Sequence, residues 1–181
     1  MKYCAECGQE VKRQIPDGDD RMRYICASCD TIHYQNPKMV VGTLPIHGEQ
    51  VLLCRRAIEP RKGFWTLPAG FMENSETTVA GALRESWEEA RAKIETPVLY
   101  RMFDLPFISQ VYIFYRGELK DGAFEIGPES LDVQLFDEQD IPWDEIAFPV
   151  VVETLREYFQ DRKTDQYPVR VTEIKPFWKQ A

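Results

Sequence analysis

Residues 70–92, GFMENSETTVAGALRESWEEARA, restrict what this chain can fold into more than any other stretch. Their second half has helical spacing. A threonine at 77 or 78 stands where it can cap open N–H groups, and Val79, Ala80, Leu83, Trp87 and Ala90 then recur as a stripe to bury. Arg84, Glu85, Glu88 and Glu89 fall on another face, since residues three and four apart are helix neighbours. At ~6 Å and an effective dielectric of about 20, each like-charge pair costs roughly 3 kcal/mol. A solvated charged face would intersperse lysines, yet only Arg84 is in reach. A divalent cation removes the repulsion, and hard ions such as Mg²⁺ take few carboxylates and fill their shell with water and phosphate oxygen.

The same stretch resembles the Nudix box, Gly-x5-Glu-x7-Arg-Glu-U-x-Glu-Glu-x-Gly-U, with U an aliphatic residue. Gly70, Glu76, Arg84, Glu85, Glu88 and Glu89 match it, while Ser86, Arg91 and Ala92 depart from it. Glycine at the position of Arg91 permits a left-handed helix end that arginine adopts only at a cost, so a different helix exit is expected, with the metal site intact. The resemblance implies that Glu85, Glu88 and Glu89, with the Gly70 carbonyl, hold Mg²⁺ or Mn²⁺, and that Arg84 orients one of them. Glu76 would join the metal shell through water or position the helix start. The general base would come from the helix itself or from a downstream loop, which makes Glu129 a candidate.

Ahead of this stretch, Cys4, Cys7, Cys26 and Cys29 form C-x2-C, eighteen intervening residues, then C-x2-C. That is the spacing of two knuckles closing a tetrahedral Zn²⁺ site. With four thiolates and no open position, the zinc is expected to be structural, and His33, like His47, simply to pack. A segment this short buries too little to fold alone, and zinc binding, roughly 10–16 kcal/mol in such sites, would supply its stability. Two disulfides are the alternative pairing, but MKYCAECGQE carries no apolar secretory core, and reduced thiols point to the cytoplasm.

At 181 residues the chain has room for one core and a small accessory module. No run reaches the ~20 apolar residues of a membrane span. The formal net charge of −8 argues against nucleic acid, and the basic residues Lys12, Arg13, Arg21 and Arg23 are offset by Asp17, Asp19, Asp20 and Asp30.

Asn36-Pro37 marks a boundary. The expected organisation is a zinc ribbon over 1–36, a hydrolase domain over 37–163 and an extended tail over 164–181 that packs or swaps onto a neighbour. Strands are expected at Met39–Ile46 and Gln50–Arg56 around a His47-Gly48-Glu49 turn, then at Ile94–Phe103, Phe107–Leu119 and Leu131–Phe136. Phe148–Tyr158 has helical spacing. Cys54, between apolar neighbours, reads as core. Arg55 and Arg56 alternate faces, so at least one is exposed, either to approach a diphosphate or to make a surface salt bridge. Phe64 and Trp65 either stack a flat ring or belong to the core. A mixed sheet between helices, an α/β/α sandwich, follows from the pattern and from the resemblance alike.

The likeness extends past the box. The ribbon followed by IHYQNPKMVVG, GFWTLPAGF, LPFISQVYIFYRGEL, GPESLDVQLF and IPWDEIAF is similar to a zinc-ribbon Nudix subgroup of bacteria and chloroplasts, whose members act on FAD and ADP-ribose. A second zinc-ribbon branch, the NADH diphosphatases, carries SQPWPFPxS, where this chain has DLPFISQVY. FAD and ADP-ribose, giving AMP plus FMN or ribose 5-phosphate, therefore rank above NADH. A non-catalytic ligand-sensing module with a partner-binding ribbon is the other alternative. A homodimer follows by family analogy alone.

Overall fold

The cysteine-bearing segment folds on three short antiparallel strands, β1 (Val11–Gln14), β2 (Arg23–Cys26) and β3 (Ile32–His33). Its buried residues are Cys4, Pro16 and Cys26, so the unit has no apolar core apart from its thiols. This is a computed structural model that describes residues 1–176, and it divides after Pro37 into this unit and a larger one.

The larger unit opens with β4 (Lys38–His47) and β5 (Gln50–Arg56), a hairpin through the expected Gly48-Glu49 turn. Two short strands follow, β6 (Trp65–Thr66) and β7 (Ala69–Phe71), and then helix α1 (Thr78–Ala90). Strands β8 (Ile94–Leu105), β9 (Gln110–Leu119) and β10 (Ser130–Phe136), helix α2 (Pro149–Arg162) and β11 (Arg170–Glu173) complete it. The sheet runs β10-β5-β4-β9-β8-β11, with β6 on β5 and β7 on β4. It is mixed: β4 with β9 and β8 with β11 are parallel, and the other pairs are antiparallel.

Strand alternation sorts the core into two layers. Leu44, Ile46, Val51, Leu53 and Phe114 pack with Val150, Val151, Leu155, Tyr158 and Phe159 of α2. The intervening residues face the other way, Val41 and Ile113 onto Ala82 of α1, and Leu52 and Cys54 into a cluster with Ala90. The sheet thus lies between two helices, as expected, and Cys54 is core.

Three local expectations are corrected. The buried face of α1 is Gly81, Ala82, Glu85, Ser86, Glu89 and Ala90, whereas Ala80 is exposed and Trp87 is 42% exposed. Ser86 tolerates burial because its hydroxyl shares a 2.7 Å hydrogen bond with Thr43 and donates to the Ala82 carbonyl at 2.8 Å. Trp87 lies outside under two cations, Arg91 and Lys93, each 5.5 Å from its ring centre. Second, Arg91 does adopt the left-handed helix end (φ 51°, ψ 21°), and its N–H reaches the Trp87 carbonyl at 2.9 Å. The exit keeps the glycine geometry and bears the strain. Third, Pro106–Ile108 form a 3-10 turn, so the strand expected from Phe107 begins at Gln110. The tail takes the first of its two expected courses and packs: β11 joins the main sheet beside β8, while 177–181 lie outside the described residues.

Candidate active site

The four cysteine sulfurs lie within 4.8 Å of one another, with Cys4–Cys29 at 3.6 Å and Cys7–Cys26 at 3.4 Å. Tetrahedral zinc with bonds of ~2.3 Å requires sulfurs about 3.8 Å apart. The donor set fits zinc and, being closed, fits a structural ion. His33 does more than pack: its Nε2 stands 3.2 Å from Cys4 Sγ, a distance at which the Nε2–H tautomer would steady a thiolate ligand.

Thr77 begins α1 as expected, its hydroxyl accepting the Ala80 N–H at 3.1 Å. The helix then delivers Arg84, Glu85, Glu88 and Glu89 to one cavity of about 630 Å³, where Gly70, Arg56 and Glu129 also emerge. Arg84 ties the acidic face together. Its Nη1 donates to Glu85 Oε1 at 2.6 Å and Glu88 Oε2 at 3.0 Å, and its Nη2 and Nε reach Glu76 at 2.8 and 3.1 Å. Glu76 also accepts the Glu73 N–H at 2.6 Å, and Arg84 holds its carboxyl down at about 2. Glu76 thus fixes the arginine and the loop before the helix.

Glu89 is left outside this network. It is 6% exposed and, among the described residues, accepts only a long 3.3 Å bond from the Ala69 N–H. Burial first, and the Glu85 charge second, push its carboxyl up to about 8. Burial likewise raises Glu85 against the pull of Arg84. A buried acid short of positive charge is the condition a hard cation relieves. Gly70 supports the same reading, because any side chain there would drive its first carbon into the Glu85 carboxylate. The fit is to Mg²⁺ or Mn²⁺ on Glu85, Glu88, Glu89 and the Gly70 carbonyl. Among the described residues, however, only the cysteines already gather within one ion's reach, Arg84 holding Glu85 and Glu88.

Glu129 comes from the loop before β10, and that loop is anchored to the helix end. The Gly127 N–H donates to the Glu89 carbonyl at 3.0 Å, and Glu125 N–H to Ala90 at 2.8 Å. Gly127 has no room for a side chain, which would meet the Glu88 carbonyl.

The expected substrate contacts divide. Arg56 lines the cavity, its Nε donating to the Pro60 carbonyl at 2.8 Å and its guanidinium lying 5.1 Å from the Phe148 ring centre. Arg55 points away, bonded to the Gly63 carbonyl at 2.8 Å and 4.0 Å from Glu145: the surface salt bridge. Trp65 is core, edge-on to Phe136 at 4.9 Å, and Phe64 lies under Arg61 at 5.2 Å, so neither forms a cavity wall. The rings that do are Phe71, Phe107, Tyr112, Phe114 and Phe148. Alternation along β9 was a readable signal for Tyr112 and Phe114; nothing local marked Phe148.

Two family models match the chain. The Nudix N-terminal zinc ribbon covers residues 2–35 and the NUDIX domain covers residues 36–157. The chain belongs to the Nudix hydrolase family, in its zinc-ribbon form. It is similar to a NUDIX hydrolase of Nitrosomonas europaea of known structure, with TM-score 0.94 and 52% identity, over 97% of this chain and 100% of that one. The human mitochondrial NAD(P)H pyrophosphatase NUDT13 is 30% identical over 69% of this chain and 34% of its own length. The NAD-capped RNA hydrolase NudC of Photorhabdus laumondii is 25% identical over 72% of this chain and 49% of its own. The chain therefore spans a third to a half of the curated relatives it matches here. Among the described residues no helix is long and apolar enough to cross a membrane.

Proposed function

We propose that this chain hydrolyses the diphosphate bond of a nucleoside diphosphate derivative, FAD or ADP-ribose in preference to NADH, using Mg²⁺ or Mn²⁺. The observation that carries the reading is Glu89: a buried carboxylate with no ion-pair contact among the described residues, beside Glu85 and the Gly70 backbone, in a cavity otherwise rich in aromatic rings. Such a cavity offers one lining to cation-bound phosphate and another to a flat ring.

The ion, when bound, would neutralise diphosphate charge and acidify an attacking water. The chain's own groups prepare that state. Arg84, clamped by Glu76, keeps Glu85 and Glu88 turned to the cavity. Arg56 presents a cation to a phosphate oxygen at the rim. Glu129 takes the water's proton in this reading, which its exposure and its loop's anchoring to the end of α1 support. The zinc ribbon supplies stability rather than chemistry, and the setting proposed is the cytoplasm, with a homodimer as the assembly.

A second reading has specific support. The NAD(P)H pyrophosphatase and NAD-capped RNA hydrolase relatives favour NAD-type diphosphates. The net charge of −8 weighs against an RNA chain as the substrate's other half. Incubating the protein with FAD, ADP-ribose and NADH, with and without Mg²⁺ or Mn²⁺, and resolving products by chromatography tests both. AMP from FAD or ADP-ribose faster than from NADH is the expected result. Faster NADH cleavage would favour the second reading, and binding without product over hours would favour a sensing module.

A further inference from the structure

β11 buries too little to hold itself in place. It is four residues long, lies parallel at the open edge of the sheet, and leaves Val171 62% exposed. Polar bonds fasten it. Arg170 sets its fork on the Asp161 carboxylate of α2 at 2.5 and 2.6 Å, and the Tyr100 hydroxyl of β8 donates to the same carboxylate at 2.8 Å. Arg101, fully buried, pairs with Glu157 of α2 and donates to Thr172 Oγ1 at 2.9 Å. Together these contacts latch β11 to both α2 and β8.

The latch has a consequence at the cavity. One residue past β11, Ile174 donates its N–H to the Asp104 carbonyl at 3.0 Å and buries its side chain in the core. That side chain also lines the catalytic cavity beside Leu105, Tyr112, Val150 and Val151. Val150 and Val151 lie in the first turn of α2, and Asp161 near its end. One helix therefore carries both the wall and the anchor of the strand that completes it. Asp161, Arg170, Tyr100 and Arg101 do not line the cavity themselves, so whatever they do to a ligand passes through Ile174.

We infer that Ile174 is a specificity-determining residue and that the Asp161–Arg170 pair positions it: the tail strand forms the apolar wall on which a substrate's aromatic ring packs. This rests on the diphosphatase reading for the identity of the ligand. Removing the side chain withdraws apolar contact from the ring and leaves the acidic lining untouched. Loosening the latch lets the same wall drift.

The test pairs kinetics with equilibrium binding of FAD by the full chain. Ile174→Ala and Arg170→Gln should each raise KM and the dissociation constant for FAD about tenfold with kcat within about twofold, and Ile174→Val should restore most of the loss. Arg170→Gln should also speed amide hydrogen exchange across 170–174, a change Ile174→Val should not show. An Ile174→Ala variant with wild-type KM and FAD affinity overturns the inference whether or not Arg170→Gln folds, and so does a fall in kcat at constant KM. A wild-type chain that cleaves nothing, yet binds FAD with an affinity that depends on Ile174, would sink the hydrolase reading and leave this one standing.

Discussion

Glu89 shows how much one residue's surroundings add to its identity. A glutamate in a Nudix box is legible as a candidate ligand from spacing; that it is buried and pushed up to about 8 is not, because desolvation depends on what the sheet brings over it. The sign of the consequence is definite. Unfolded, this carboxyl ionises near 4.5; folded without metal, it holds its proton to about 8. Between those values the folded state binds more protons, so metal-free stability should fall as pH rises. A cation must displace that proton, so Mn²⁺ affinity should climb over the same window with proton release. Calorimetric Mn²⁺ titrations at pH 6 and pH 8 in buffers of different ionisation heat measure both; an affinity independent of pH would contradict the assignment. Arg91 offers a stability test. Its positive φ costs an L-residue roughly 1–2 kcal/mol, and glycine returns part of that as chain entropy. Arg91→Gly should therefore stabilise the protein by about 1 kcal/mol in urea unfolding, and a destabilised variant would show that its contact with Trp87 outweighs the strain. Arg55 and Arg56 mark the limit of reading residues one at a time: alternation says they part, and only the neighbouring strands say which one meets the cavity.

At the scale of elements, α1 was legible in start and acidic content, but not in orientation. Periodicity assigns burial to apolar residues, and here two carboxylates and a serine turn inward while Trp87 stays outside under Arg91 and Lys93. The inversion has a physical reason: Glu85 and Glu89 line a cavity, which is only partly desolvated, and Ser86 is satisfied by Thr43 and the Ala82 carbonyl. The zinc ribbon was the opposite case. Four cysteines at fixed spacing left little to decide, and a unit whose buried residues are two thiols and a proline has no other core to fall back on. Chelation should accordingly melt residues 1–37 and leave the larger unit folded. Amide NMR spectra recorded before and after a strong zinc chelator would read this directly; an unchanged set of ribbon signals in zinc-free protein would remove the ion from the account. β11 was the least legible element, since a four-residue parallel strand is fixed by pairing with the distant β8 and by the Arg170–Asp161 bonds to α2 rather than by its own pattern.

At the scale of the molecule, the mixed sheet between two helices puts the end of α1, the loop before β10 and the start of α2 around one cavity. The sandwich was readable from strand alternation and from the box, whereas most of the aromatic wall was not, because beyond Tyr112 and Phe114 its rings, Phe71, Phe107 and Phe148, come from a strand end, a turn and a helix start far apart in the chain. The proposed function depends on the inward carboxylates of α1 holding a divalent ion against a diphosphate. Turnover of Glu89→Gln at saturating Mg²⁺, on whichever dinucleotide the wild type cleaves fastest, tests this most directly. The predicted result is a loss of at least about a hundredfold in kcat with the fold intact; wild-type turnover by that variant would contradict it.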